Sequence, residues 1–165
     1  MAATPAVTAL ERAGIDHAVH RYPHDPRSDS YGDEAVAALG DSLGVHANQI
    51  FKTLVIDIAG TLAVAVVPVP RRLSLKAAAT ALAEATSGGT KARMADEKSV
   101  TRATGYVLGG VSPIGQRTVL PTVVDRTALD WPEVFCSAGR RGLEVSLAPA
   151  DLISVIGAVV ADVAT

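Results

Sequence analysis

The run Gln49-Ile50-Phe51-Lys52-Thr53-Leu54-Val55-Ile56, followed beyond Ala59-Gly60 by Leu62 to Val67, most constrains what this chain can fold into. Both runs are β-branched or large and apolar almost throughout, and the small turn between them pairs them as a hairpin. Strands with so little polar alternation need cover on both faces, which predicts a central place in a sheet. Lys52 alone breaks the pattern. Alternation puts it on one face with Leu54 and Ile56, while Phe51, Thr53 and Val55 share the other. A lysine at the mouth of an apolar face either reaches out to solvent along its own stem or is a charge held over a pocket.

The flanking chain supplies helices. Thr4-Pro5 combines a hydroxyl cap with a proline at the first helical position, and the helix continues through Val7, Leu10 and Glu11 to Gly14. Ile15 to Tyr22 reads as a strand with Ala18, His20 and Tyr22 on one face, before Pro23 and Pro26 force an extended loop. Ser30 with Asp33 has the spacing of a capping box, which predicts a short helix through Val36 and Leu39 to Gly40. Ser74 caps an alanine-rich helix to about Glu84, and the Ser87-Gly88-Gly89 turn leads to a short strand from Ala92 to Met94. Asp96 caps a helix that ends at Gly105. Strands are predicted at Val119–Asp125, Val134–Ser137 and Leu143–Leu147, and Pro149 opens a last helix through Leu152, Ile153 and Ile156.

Hairpins and helices in this irregular order predict one mixed α/β domain over residues 1–165. Its sheet is expected to be curved, mainly antiparallel and barrel-like, with helices around it, rather than a doubly wound nucleotide fold. Aromatic residues are few, so Ala, Val and Leu fill the core. A formal net charge of −2 argues against a general polyanion binder, and DNA is not an expected partner; RNA contact needs a local basic patch. The N-terminus lacks the basic-then-apolar order of a signal peptide, and the longest apolar stretch is too short for a membrane span, so a cytoplasmic protein without a membrane partner is expected.

Metal chemistry finds little support. His17, His20, His24 and His46 include no pair at helical ligand spacing, because Pro23 interrupts His20-x3-His24. No metal or other cofactor is expected. Cys136, the single cysteine, excludes an intrachain disulfide. Its strand position reads as a small buried hydrophobe, although Arg140 and Arg141 nearby leave a reactive thiolate open. Gly109-Gly110 permits positive φ and close backbone approach, which would leave N–H groups free to hold an oxygen, or simply make a tight turn. The turn Ser137-Ala138-Gly139-Arg140-Arg141-Gly142-Leu143-Glu144 could line a pocket and meet a phosphate backbone, or be a solvated loop.

Taken together these segments resemble the YbaK/EbsC family, which contains the Cys-tRNA(Pro) deacylases, free-standing relatives of the prolyl-tRNA synthetase editing domain. The resemblance rests on Phe51-Lys52-Thr53-Leu54, on Gly105-Tyr106-Val107-Leu108-Gly109-Gly110-Val111-Ser112-Pro113-Ile114-Gly115-Gln116, on Leu120-Pro121-Thr122 and on Arg141-Gly142-Leu143-Glu144. It extends from Thr4-Pro5 to the last helix and includes His24-Asp25-Pro26 and Gly32-Asp33-Glu34. It implies the fold of that editing domain and hydrolysis of the ester between a wrong amino acid and the tRNA 3′ end, most often cysteine on tRNA(Pro).

By the same resemblance Lys52 is the essential residue and Gly109 the glycine whose backbone meets the substrate. Tyr22, Tyr31, Thr53, Gly110, Ser137 and Glu144 are then substrate-binding. The substrate cysteine's own thiol would attack its carbonyl and release a cyclic thiolactone, which leaves Cys136 structural. Arg71, Arg72, Lys76, Arg140 and Arg141 are the candidate tRNA contacts, and prolyl-tRNA synthetase the expected protein partner. Tyr31 stands where phenylalanine is common, Ala138 where the family has glycine, and Glu144 where it has aspartate. These departures bear on substrate choice, so another substrate such as Ala-tRNA(Pro), or a non-catalytic tRNA- or synthetase-binding module, is the alternative.

Overall fold

The computed structural model describes residues 3–165. In chain order it contains α1 (Pro5–Arg12), β1 (Ala18–Arg21), α2 (Tyr31–Leu43), β2 (Phe51–Ile58), β3 (Thr61–Pro68), α3 (Leu75–Ala81) and β4 (Ala92–Met94). There follow α4 (Glu97–Thr104), β5 (Thr122–Asp125), β6 (Val134–Arg140), β7 (Leu143–Leu147), α5 (Pro149–Ile156) and β8 (Val159–Ala161). The hairpin forms as expected, β2 against β3, from Phe51 opposite Pro68 to Ile58 opposite Thr61.

It lies inside a five-stranded sheet ordered β4-β2-β3-β5-β8, while β1-β7-β6 form a second sheet. β3–β5 and β5–β8 are parallel and the other strand pairs antiparallel, so the sheets are mixed and mainly antiparallel. A bridge between Ile50 and Phe135 joins the two sheets. They do not close into the barrel-like sheet expected from the sequence. The outer strands β4 and β8 are three residues each, too short to carry a ladder around to the next sheet.

Both faces of the hairpin are covered, and the alternation along β2 decides by what. Phe51 and Val55, with Val64 and Val66 of β3, pack with Ala6, Val7 and Leu10 of α1 and the inner residues of β6 and β7. Ile56 and Ile58, with Ala63, Ala65 and Val67, pack against Ala78 and Ala79 of α3. Alanines on the helix let its backbone approach the sheet closely, which is how a core poor in aromatics closes without voids. A third cluster of Ala35, Leu39, Ile50 and Phe135 seats α2 over the bridge between the sheets.

Several local expectations shift. The Thr4 cap forms, its Oγ1 accepting from Val7 N and donating to Ala138 O of β6, so the cap also fastens α1 to the second sheet. Ser30 makes no side-chain cap. Glu34 instead folds back, its carboxylate 2.6 Å from His24 Nδ1 and accepting from Asp25 N at 2.9 Å. α2 runs through Gly40, which is tolerated inside a helix, and stops at Gly44, where a left-handed φ of 67° is needed. α3 ends earlier than expected, and β8 was not legible at all.

Asp125 holds the segment after β8 in place. Buried at the end of β5, its Oδ1 accepts from Val163 N at 3.0 Å and Ala164 N at 2.9 Å, and Oδ2 accepts from Thr127. Burial pushes its carboxyl up, but the hydrogen bonds from Thr127, Val163 and Ala164 outweigh this and leave it below its ordinary value. A depressed carboxylate stabilises the fold above its unfolded pKa, and that contribution is lost as pH falls through the folded value. Asp125→Ala should therefore lower stability by about 2–3 kcal/mol at neutral pH, because it strands buried N–H groups. The deficit, read from urea unfolding, should shrink in acid.

Candidate active site

Because β4 pairs with β2 only from Ile56 to Ile58, the stretch Phe51 to Leu54 keeps one edge free. A cavity of about 400 Å³ opens there, bounded also by the first turn of α2, the glycine turn after α4 and the β6–β7 hairpin. Of the residues expected from the sequence, Tyr22, Tyr31, Lys52, Thr53, Gly109, Ser137 and Glu144 all line this one cavity. Lys52 and Gly109, far apart in the chain, therefore border a single hollow.

Lys52 is half-buried, and its Nζ donates to Val69 O at 3.2 Å. Burial lowers its pKa from the usual 10.5, the Asp33 carboxylate on α2 opposes this, and the Arg72 charge adds to the lowering. It is thus a charge held at a pocket rather than a freely snorkelling one. Gly32 lets the first turn of α2 come this close, since a Cβ there would lie 3.0 Å from Val69 Cγ1.

The glycine pair divides its labour. Gly110 N donates to Val107 O at 2.9 Å, and Gly109, at φ +82°, occupies the third position of that turn. A positive φ there defines a type II turn, which favours glycine. A Cβ on Gly109 would also lie 2.5 Å from Tyr31 Cγ. Gly110 does not line the cavity as expected, and its N–H is not free to hold an oxygen. Its value is close packing: a Cβ there would meet Arg140 Cα at 3.0 Å and Arg141 N at 3.1 Å.

The floor is polar groups in an apolar setting. Glu144 is buried, and its Oε2 and the Thr53 Oγ1 find no hydrogen-bond partner among the described residues. Burial alone pushes the Glu144 carboxyl from an ordinary 4.5 up to about 8. Tyr22 is raised by burial first and then by Glu144 and Glu34. Ser137 Oγ accepts from Gly139 N at 3.1 Å. Cys136 is completely buried, and burial followed by Glu144 drives its thiol well above the usual range, the opposite of a reactive thiolate.

Among the basic candidates, Arg71 and Arg72 follow β3 beside Lys52, with Arg71 Nη2 3.5 Å from Ala164 O. Lys76 and Arg140 are exposed. Arg141 is exposed as well, but it also donates from Nε to Leu108 O at 2.8 Å with its guanidinium 4.7 Å from the Tyr31 ring centre. The histidines have partners too: Ile15 O for His17, Ser146 Oγ for His20, Glu34 for His24 and the Asn48 N–H for His46. Sequence reasoning gave Asp33 no part in the site, although it stands in the capping box and in the Gly32-Asp33-Glu34 stretch, and it missed the apolar rim residues Met94 and Leu108.

Glu144 gives a measurable signature. Because its folded pKa is raised, its neutral form stabilises the protein below pH 4.5, and that contribution is lost progressively as pH rises to about 8. Glu144→Gln keeps the shape without the titration, so the variant should lack this part of the pH dependence. Chemical unfolding should show the variant more stable than the parent at pH 8, by ~3 kcal/mol.

A profile of the aminoacyl-tRNA editing domain matches residues 33–155. A protein of Enterococcus faecalis, provisionally named Cys-tRNA(Pro)/Cys-tRNA(Cys) deacylase EbsC, is 33% identical over 150 residues, 88% of each chain. A crystal structure described as that of a provisional trans-editing enzyme for prolyl tRNA synthetase superposes with a TM-score of 0.80 at 28% identity, covering 100% of this chain and 99% of the other. The hypothetical protein APE2540 superposes with a TM-score of 0.79 at 29% identity, covering 98% and 100%. With Lys52, the Gly109 turn, Ser137 and Glu144 all inside the matched span, the chain belongs to the aminoacyl-tRNA editing domain family.

Proposed function

We propose that this protein is a free-standing deacylase that hydrolyses the ester of mischarged tRNA(Pro), with cysteinyl-tRNA(Pro) as its principal substrate. The observation that carries this reading is the shared cavity of Lys52 and Gly109, a cation and a backbone turn on a hollow of about 400 Å³ suited to a small aminoacyl group. The name of the Enterococcus faecalis relative supports the substrate, and that of the trans-editing structure supports prolyl-tRNA synthetase as a partner.

Ester cleavage builds negative charge on the carbonyl oxygen, and donors fixed in a water-poor site stabilise it strongly. The Gly109 N–H is the donor we assign. Lys52, as an ammonium without a lone pair, holds the terminal ribose or phosphate and sets the ester against that donor. Among the described residues no nucleophile is well placed: Cys136 is buried with its thiol pushed well above the usual range, and Ser137 has no histidine partner, since His20 is bonded to Ser146. The substrate thiol supplies the attack. Its sulfur bonds to the carbonyl carbon, the ester C–O bond breaks, and the ribose oxygen leaves with the thiol proton, releasing a cyclic thiolactone.

Tyr22, Tyr31, Thr53, Ser137 and Glu144 shape the aminoacyl pocket, and Arg71, Arg72, Lys76 and Arg140 are the residues we assign to tRNA phosphates. Such work belongs in the cytoplasm, beside translation. A panel of tRNA(Pro) charged with cysteine, alanine or proline tests the reading: cysteine should be released fastest. Lys52→Ala should reduce single-turnover deacylation by about a hundredfold or more, whereas Cys136→Ala should retain it. Equal release of alanine would move the assignment to the alternative substrate, and binding without release would leave only a tRNA-binding module.

A further inference from the structure

We infer that Arg141 is a positioning residue that holds the Leu108–Gly109 peptide in the orientation deacylation requires, rather than a tRNA contact. The inference rests on the proposed role of the Gly109 N–H. In the turn closed by Gly110 N to Val107 O, the peptide between Leu108 and Gly109 is the one that distinguishes type II from type I. Rotating it by half a turn exchanges the two. A trans peptide directs its C=O and N–H to opposite sides, so whichever group points at the cavity, the other points away.

Arg141, which is exposed and does not line the cavity, holds the carbonyl and so marks it as the outward group. Its Nε donates to Leu108 O at 2.8 Å, and a charge-assisted donor there fixes the carbonyl on the side of the β6–β7 turn. The Gly109 N–H is thereby aimed the other way. The guanidinium is itself steadied over the Tyr31 ring, 4.7 Å from its centre, and the same ring packs against Gly109. Gly110 lies close against the backbone of Arg140 and Arg141, so the two turns move as one. Glycine tolerates either state of the turn, so nothing intrinsic to Gly109 selects between them. If the peptide flipped, a carbonyl oxygen would replace the donor and repel the charge it should stabilise.

Arg141→Lys and Arg141→Gln separate this from phosphate binding. Lysine keeps the charge but has no planar Nε donor at that position, so both variants should lose about tenfold or more in kcat, towards the ~10²–10³ cost of losing one oxyanion donor. KM should change little, and the loss should persist at low and at high salt. Glycine-labelled protein gives a readout independent of turnover: the Gly109 amide resonance should shift or split in both variants while their thermal midpoints stay near the parent's. A lysine variant with full kcat, a glutamine variant whose defect lies in KM and fades with salt, or an unmoved Gly109 resonance would each overturn the assignment. Failure of the parent protein to release any amino acid would instead defeat the deacylase reading, with the amide signature still legible.

Discussion

Where β4 stops pairing with β2, the backbone from Phe51 to Leu54 is left with β3 on one side and no strand on the other. An unfilled edge in the middle of a domain has to be capped by something, since unpaired backbone groups and apolar side chains are both costly there. Here the cap comes from the first turn of α2, the glycine turn after α4 and the β6–β7 hairpin, which cannot pack as tightly as a strand would. The hollow they leave is the cavity, and its position at the start of β2 is why Lys52 reaches it.

The electrostatics follow from that placement. An ammonium, a carboxyl and a hydroxyl border one cavity, each at least partly buried, so each is perturbed in the direction burial dictates: Lys52 down, Glu144 up, Tyr22 up. Only Lys52 has a nearby opposite charge, Asp33, to offset the loss of solvent. Glu144 has none and is held largely neutral below about pH 8, which makes it a hydrogen-bonding group of the pocket instead of a fixed charge. A pocket of this kind recognises a small ligand by shape and a few polar contacts.

Legibility in the sequence followed the range of the interactions. The hairpin, the caps at Thr4, Ser74 and Asp96, and the glycine stop at Gly105 are decided by neighbours in the chain, and they stand where expected. Ser30 makes no side-chain cap, and the acid that the start of α2 does use is Glu34, whose partners His24 and Asp25 lie in a loop outside the helix. The barrel-like closure failed because strand length at the sheet edges is set by packing. Gly110 was assigned with its neighbour to a ligand, yet one glycine shapes the turn at the cavity and the other admits a second backbone.

Alternation along β2, the covered hairpin and the buried Cys136 were determined by the sequence itself, because residue type and short-range periodicity govern them, while the set of candidate residues came from the resemblance of its motifs to a known family. That Lys52 and Gly109 share one cavity, that the Asp33 charge acts on the ammonium, that burial raises the Glu144 carboxyl and that Arg141 meets Leu108 and Tyr31 were decided only by the tertiary structure. Each of these depends on groups brought together from distant parts of the chain, and on water excluded from between them. Local sequence carries no term for either.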